Sequence, residues 1–196
     1  AGAVVVEPSN AESGLLYSHL GCEGEAASAL QIPNFGTAGN RFVENYSVFE
    51  IQFDGREIFR RAVKGMAREI KIVLEKLGLG NDDIDLIIPH QANLRIIESL
   101  AKHLSVDMAK VEVNIQNYGN TSAATIPVAM VEALEAGRIK AGDRILLAAF
   151  GAGLTRAAGL IRWGDRTTPL QQSDVELPPC DQTALEILSE AIKHTL

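Results

Sequence analysis

The chain has 196 residues, of which 46% are hydrophobic, so it can bury a core and does not have the composition of a disordered protein. Its net charge is −7, which argues against nucleic acid as a partner. No apolar run is long enough to span a membrane, and the first residues lack the basic region of a signal peptide. Cys22 and Cys180 form no metal-binding pattern, so we expect no metal site and a reducing, cytoplasmic location.

The first third of the chain contains two predicted strands and a long helix. Residues 3–7 and 14–20 are expected to be strands, and the "PSNAES" turn between them predicts a hairpin. Gly, Pro and Asn are frequent at 21–55, which predicts a loop region with short ordered pieces. Residues 56–77 repeat apolar side chains at helical spacing, and Gly78 follows where a helix-ending glycine belongs. Because "AGAVVVEP" is typical of a buried strand with partners on both sides, we expect the chain to be part of a longer protein.

The rest of the chain alternates between the two periodicities until residue 163. The predicted elements are a strand at 84–89, a helix at 92–104, a strand at 110–115, a helix at 122–136, and strands at 144–150 and 154–163. This alternation predicts a layered α/β sheet with helices on its faces. A polar linker is expected at 165–180, followed by a short amphipathic terminal helix.

Polar or glycine-rich residues follow three of these strands. His90 comes directly after the first, Asn120 follows the second, and "AFGAG" at 149–153 follows the third. Ligands in α/β folds bind at the carboxyl ends of strands, so the three segments predict one converging site. Each segment alone has a simpler interpretation. His90 could begin a helix, Asn120 could cap a helix or form a turn, and the glycines could form a hairpin turn.

The motifs "PHQANLRII", "YGNTSAATIP" and "LLAAFGAGLT" together resemble the C-terminal half of a type III 3-oxoacyl-[acyl-carrier-protein] synthase, a family of the thiolase superfamily. The resemblance runs from residue 1 to about residue 163 and includes "FDGREIFRRAV". It implies a thiolase-like layered α/β fold in which a five-stranded mixed sheet is covered by helices. By this resemblance, residues 1–20 would be closing strands of a first half and 21–55 a connecting loop region. Residues 56–164 would form the C-terminal domain, and 165–196 a linker with a short terminal helix.

The resemblance implies an acyltransferase that condenses an acyl-CoA with malonyl-acyl carrier protein in fatty acid biosynthesis. The family uses a Cys–His–Asn triad, of which His90 and Asn120 match the last two members. Both can donate hydrogen bonds to an oxygen that gains negative charge. The backbone N–H of Ala152 matches an oxyanion-hole position, Phe150 matches a residue lining the site, and Asn93 is expected to orient His90 or a water. No metal or redox cofactor is implied, and acyl-CoA enters as substrate.

The nucleophilic cysteine of the family lies in the first half, upstream of this chain. Neither cysteine here has a matching sequence context, so the chain alone is expected to be inactive and to require an N-terminal half that carries the nucleophile. The resemblance also implies a homodimer. It assigns docking of the acidic carrier protein to Arg60, Arg95 and Lys102, although basic side chains at this spacing can equally form a solvated stripe on a helix.

Two other functions remain open at this point. Relatives of type III synthases make polyketides, quinolones or esters on a similar site, and the half that selects the acyl primer is absent from this chain. A non-catalytic interaction module is the second alternative. A module that only binds has no chemical need for both His90 and Asn120, so their joint presence favours an enzyme.

Overall fold

The computed structural model describes residues 2–6, 8, 12–32, 51–168, 179–183, 185–186 and 188–189. The described residues up to 31 and from 51 to 168 form one compact unit, which contains every element discussed below. Residues 179–189 belong to a second unit. There, residues 185–186 and 188–189 are helical, and the Glu186 carboxylate accepts a hydrogen bond from Thr183 N at 2.7 Å. Residues 169–178 of the predicted linker and the rest of the predicted terminal helix lie outside the described residues.

The compact unit contains six strands and four α-helices. The strands are Gly14–Cys22 (β1), Leu30–Gln31 (β2), Gln52–Phe53 (β3), Leu86–Pro89 (β4), Arg144–Gly151 (β5) and Thr155–Arg162 (β6). The helices are Gly55–Leu77 (α1), Leu94–Leu104 (α2), Ile115–Tyr118 (α3) and Thr125–Glu135 (α4). Among the described residues, no helix combines the length and the apolar character needed to span a membrane.

The main sheet has the order β1-β6-β5-β4 and mixed strand directions. β4 and β5 run parallel, whereas β6 is antiparallel to both β5 and β1. The crossover from β4 to β5 passes through α2, α3 and α4, as a parallel pair requires. β2 and β3 form a separate two-stranded sheet. The prediction of a layered mixed sheet is confirmed.

Alternating side chains of the central strands supply two separate cores. Ile87 and Leu146 pack with α1 and α2 on one face of the sheet. Leu86, Ile88 and Ile145 pack against α4 on the other face. All four residues of β4 are buried, which agrees with the prediction of a strand covered on both sides. The sheet therefore lies between a layer formed by α1 and α2 and a layer formed by α4.

The sequence pattern locates α1 to within one residue. The Asp54 side chain accepts a hydrogen bond from Glu57 N at 3.0 Å and so caps the first turn. Gly78 ends the helix in the left-handed conformation with φ 67°, and its N–H bonds the last carbonyls. Apolar side chains at three- and four-residue spacing, including Met66, Ile70 and Val73, are buried against the sheet.

Two strand predictions are wrong. Residues 3–6 have no regular structure, and Val5 is 92% exposed, so no hairpin joins this segment to β1. Residues 110–115 form only one parallel bridge, between Ile87 and Val111. Glu112 N still bonds Ile87 O of β4 at 2.8 Å, but beyond it the Gln91 side-chain amide bonds Glu112 O and Asn114 N, and the strand pairing ends. The described sheet thus has four strands, with the bridge at Val111 in the position of a fifth.

The pairing of β1 differs from the expectation that residues 1–20 close a separate half. β1 spans Gly14–Cys22 and pairs with β6 from Gly14 opposite Arg162 to Cys22 opposite Thr155. It therefore belongs to the same sheet as the strands of 56–164. The alternation of half-buried and exposed side chains along β1 agrees with its pairing to β6 in this sheet. Tyr17 packs toward the core beneath α1, whereas Leu16 and Leu20 are exposed.

Candidate active site

His90 lies at the carboxyl end of β4, one residue beyond the strand. Its N–H donates to Ala148 O on β5 at 2.7 Å, which extends the parallel pairing by one step. Since the carboxyl ends of parallel strands meet at one edge, this bond aligns His90 with the end of β5. The strand thus ends on a histidine whose backbone is held by the sheet.

Thr125 holds the ring of His90. His90 Nδ1 lies 2.6 Å from Thr125 Oγ1, and Thr125 is the first residue of α4. Burial lowers the pKa of His90 below its ordinary value, because desolvation disfavours the charged imidazolium. The ring is therefore neutral near pH 7 and has one N–H to donate.

Gln91 connects the end of β4 to the neighbouring segment. Its side chain is fully buried, and its Nε2 donates to Pro89 O at 2.8 Å and to Glu112 O at 3.1 Å. Its Oε1 accepts from Asn114 N at 3.1 Å. All hydrogen-bonding atoms of the amide are used for structure. Gln91 and Thr125 are not among the site residues predicted from the sequence. The available signal was an amide directly after His90 and a hydroxyl at the start of the helix after Asn120.

Asn120 lies in the loop that leads from α3 to α4. Gly119 precedes it with φ 65° and ψ −159° and turns the backbone. The Asn120 Oδ1 accepts a hydrogen bond from Ser122 N at 2.9 Å. Within the described residues its Nδ2 group donates to nothing, and the residue is exposed. One end of the amide is thus fixed while both N–H donors remain available to a ligand. The same loop leads to Thr125, so one segment carries Asn120 and the partner of His90.

Phe150 and Ala152 lie where β5 turns into β6. Phe150 is half-buried and packs against both the core beneath α1 and a smaller cluster that includes Ile58 and Leu154. Ala152 is exposed in the turn, and its carbonyl accepts from Thr155 Oγ1 at 3.1 Å. Phe150 lies two residues beyond Ala148, the partner of His90 N. The turn therefore lies at the same edge of the sheet as His90.

Asn93 does not bond the ring of His90, whereas its expected role in orienting a water stays a prediction. Its Oδ1 accepts from Arg95 N at 2.9 Å, so the side chain caps α2. The side-chain partner of His90 among the described residues is Thr125, not Asn93.

Cys22 and Cys180 are both free and exposed. No group of three or more His, Cys, Asp or Glu side chains with metal-binding geometry occurs in the part of the chain that the structure describes.

The three predicted docking residues lie on two helices that contact each other. Arg60 on α1 donates to Glu57 at 2.7 Å, and the hydrogen bonds from Arg60 and then Arg61 lower the pKa of Glu57 to about 2. Arg95 and Lys102 are exposed on α2, about two turns apart, so they share a helical face. Neither forms an ion pair with a described residue. These two cations are therefore free to meet an acidic partner.

A basic cavity of about 460 Å³ adjoins Arg60. Its lining residues are Cys22, Glu23, Arg60, Arg61, Lys64, Gly65, Arg68 and Arg156. Three of the cations are neutralised in part: Arg60 by Glu57, Arg61 by Glu57 and Glu23, and Arg156 by Glu69 and Glu23. Glu23 and Arg61 thus link the end of β1 to α1.

Comparison with known proteins agrees with this arrangement. Residues 74–163 match the family described as 3-oxoacyl-[acyl-carrier-protein] synthase III C terminal. A beta-ketoacyl-[acyl-carrier-protein] synthase III of Vibrio cholerae is 50% identical over 194 residues, which cover 99% of this chain and 54% of that protein. The chain spans about half the length of the curated relatives it matches.

Two solved structures show the same fold. The synthase III of Thermus thermophilus has a TM-score of 0.72 at 41% identity, over 81% of this chain and 49% of that one. A priming beta-ketosynthase of the R1128 polyketide pathway has a TM-score of 0.70 at 31% identity, over 81% of this chain and 47% of that one. The thiolase-like fold class is confirmed. The chain is thus similar to the C-terminal part of beta-ketoacyl-[acyl-carrier-protein] synthase III.

Proposed function

We propose that the complete protein catalyses the decarboxylative condensation of an acyl group, taken from acyl-CoA, with malonyl-acyl carrier protein to give 3-oxoacyl-acyl carrier protein. The arrangement of His90 and Asn120 carries this proposal. One strand end and one loop hold a neutral imidazole and an amide whose two N–H donors bond no other described residue. Such preorganised donors stabilise an oxygen that becomes negatively charged in the transition state.

The proposed reaction has two halves. In the first, the nucleophilic cysteine of the missing half attacks the acyl-CoA carbonyl, and the CoA thiolate leaves. In the second, the bond between the malonyl α-carbon and its carboxylate breaks, CO2 leaves, and the electron pair forms an enolate. His90 and Asn120 donate hydrogen bonds to the enolate oxygen. The enolate carbon then attacks the acyl-cysteine, the Ala152 N–H stabilises the new oxyanion, and the cysteine leaves as thiolate.

The missing N-terminal half is the first partner in this proposal. Leu15, Leu16 and Leu20 of β1 and Val131 of α4 are exposed, with Leu20 at 76%. Covering each of these side chains would contribute roughly 1.5–3 kcal/mol. The chain spans about half the length of the relatives it matches, and a second half of similar length is the partner we propose to cover these side chains.

The proposal has further parts, which concern docking, the lining of the site, the assembly and the location. The carrier protein docks on Arg60, Arg95 and Lys102, Phe150 lines the site, and the complete protein is a homodimer. The chemistry uses protein donors and a thiolate, so it needs no metal or redox cofactor. The two free cysteines support a reducing compartment and hence a cytoplasmic location.

The similarity to the R1128 priming ketosynthase supports the alternative function, a related synthase of secondary metabolism.

Measuring the two half-reactions separately tests the proposal. In the complete protein, His90→Ala or Asn120→Ala should reduce decarboxylation of malonyl-carrier protein by about 10²–10³. Transfer of the acyl group from acyl-CoA to the cysteine should remain largely intact, because it depends on the other half. Asn117→Ala, in the preceding helix, is the matched control. Undiminished decarboxylation in either site variant would contradict the assignment. If the wild type and all variants leave the malonyl carboxylate in place, the result would favour a non-catalytic module.

A further inference from the structure

The proposed mechanism depends on which nitrogen of the His90 ring carries the proton, and Thr125 contacts one of these two nitrogens. Thr125 Oγ1 and His90 Nδ1 are 2.6 Å apart, although the residues lie 35 positions apart in the sequence. Thr125 is only 2% exposed, so its hydroxyl is shielded from solvent. A neutral imidazole carries one proton, on Nδ1 or on Nε2. If the proton is on Nδ1, the ring donates to the hydroxyl; if it is on Nε2, the hydroxyl donates to Nδ1.

The hydrogen-bond partners of Thr125 favour the second arrangement. Within the described residues, His90 Nδ1 is the one side-chain or backbone atom bonded to the hydroxyl. If Nδ1–H donated to Oγ1, the hydroxyl proton would need a second acceptor, and none is bonded to it among the described residues. A buried donor without an acceptor costs about 1–3 kcal/mol. Donation from Oγ1–H to Nδ1 removes that cost.

Two features fix the position of the Thr125 hydroxyl, namely the anchoring of α4 and the branched side chain itself. Glu132, two turns further along α4, accepts from Asn114 Nδ2 at 2.7 Å and from Tyr118 OH at 2.6 Å. These bonds fix α4 against the segment before Asn120. Thr125 is also β-branched, which restricts its χ1 rotamers. The hydroxyl is therefore a positioned donor rather than a rotating surface group.

We propose that Thr125 is a positioning residue that donates its hydroxyl proton to His90 Nδ1 and thereby keeps the remaining imidazole proton on Nε2. The nitrogen that bears the proton in a histidine is set by the hydrogen bond that the other nitrogen makes. Nε2–H then faces away from Thr125 and is available to the enolate oxygen. This inference rests on the proposed function and names the residue that selects the active form of His90.

The tautomer can be measured directly in the complete protein by 15N NMR with labelled histidine. The His90 signals are assigned by their loss in His90→Gln. We expect the wild type near pH 7 to show a neutral ring with a protonated Nε2. A protonated Nδ1 in the wild type would overturn the inference without any Thr125 variant, so the test survives if a variant fails to fold.

Two substitutions separate the hydroxyl from the shape of the side chain. Thr125→Val removes the donor and keeps the volume, so it should lose the pure Nε2–H tautomer and slow malonyl decarboxylation by about tenfold. Thr125→Ser keeps the donor and should retain the tautomer and most of the rate. Thr168→Val makes the same change at an exposed position and should alter neither. Acyl transfer from acyl-CoA should stay constant throughout.

The outcomes distinguish this inference from the proposed function. If His90→Ala abolishes decarboxylation while Thr125→Val leaves rate and tautomer unchanged, the role of Thr125 is wrong and the function stands. If Thr125→Ser is as slow as Thr125→Val, the hydroxyl is not the operative group and the inference is again overturned. If His90→Ala retains decarboxylation, the proposed function itself fails, whereas the tautomer measurement still decides the hydrogen bond.

Discussion

Arg156 on β6 and Glu69 on α1 form an ion pair in the interior, with Arg156 Nε 2.6 Å from Glu69 Oε1. The Glu69 side chain is 1% exposed and the Arg156 side chain 10%. His19 on β1 bonds the second carboxylate oxygen through Nδ1. One buried carboxylate on α1 thus joins the two neighbouring strands at the edge of the sheet.

Removing the carboxylate should destabilise the protein strongly. Glu69→Ala leaves the Arg156 guanidinium buried without its closest partner, and breaking a buried pair costs about 3–5 kcal/mol. Glu75→Ala is the matched control on the same helix, because Glu75 pairs with Lys71 at 3.6 Å on the surface. Its cost should be about 0–1 kcal/mol. Urea unfolding of the complete protein measures both. Equal midpoints for the two variants would show that the buried pair contributes no more than a surface pair.

The same carboxylate should make stability depend on pH in the acid range. Burial raises the pKa of Glu69, but the hydrogen bonds from Arg156 and His19 outweigh it, and the pKa in the folded protein lies below its ordinary value. The stabilisation is therefore present above the unfolded pKa of about 4.3 and is lost as pH falls through the folded pKa. The stability difference between wild type and Glu69→Gln should shrink on acidification. A difference that is constant from neutral to acid pH would contradict this.

Gly119 should be required for the geometry of the Asn120 loop. Its φ of 65° and ψ of −159° fall in a region that is essentially restricted to glycine, and strain there costs of order 1–3 kcal/mol. Gly119→Ala should lower stability and also slow decarboxylation, because Asn120 shifts. Gly78→Ala is the control, since Gly78 has φ 67° and ψ 31°, and neither position would bring an added Cβ within 4 Å of another atom. Gly78→Ala should lose stability alone. A decarboxylation loss in both would point to general destabilisation.

Arg95→Glu should weaken use of the carrier substrate selectively. Arg95 is exposed and unpaired among the described residues, so reversing its charge should raise the KM for malonyl-carrier protein and leave acyl transfer from acyl-CoA nearly unchanged. Charge steering weakens with salt, so the KM of the wild type should also rise with ionic strength. Lys71→Glu, on the surface of α1, is the control. A wild-type KM that is insensitive to salt, together with a silent Arg95→Glu, would leave only a solvated basic stripe.

Local patterns were sufficient to predict the long elements and the positions of the polar residues. The spacing of apolar side chains located α1, and Gly78 marked its end, because both signals depend on neighbours within a turn or two. The continuous apolar run of β4 indicated burial on both faces. The motifs around His90 and Asn120 were sufficient to indicate the family, and the polar ends of successive strands indicated a site.

Partners distant in sequence were decided only by the tertiary structure. The valines at 4–6 have strand propensity but pair with no described strand. Residues 110–115 pair with β4 only at Val111 and Glu112, and the Gln91 amide then bonds Glu112 O and Asn114 N. Thr125, not Asn93, holds His90, since the packing of α4 on the sheet brings its first residue to the end of β4. Sequence periodicity specifies which residues face a core. Which side chain meets which across that core depends on strand register and helix packing, and these exist only in the folded chain.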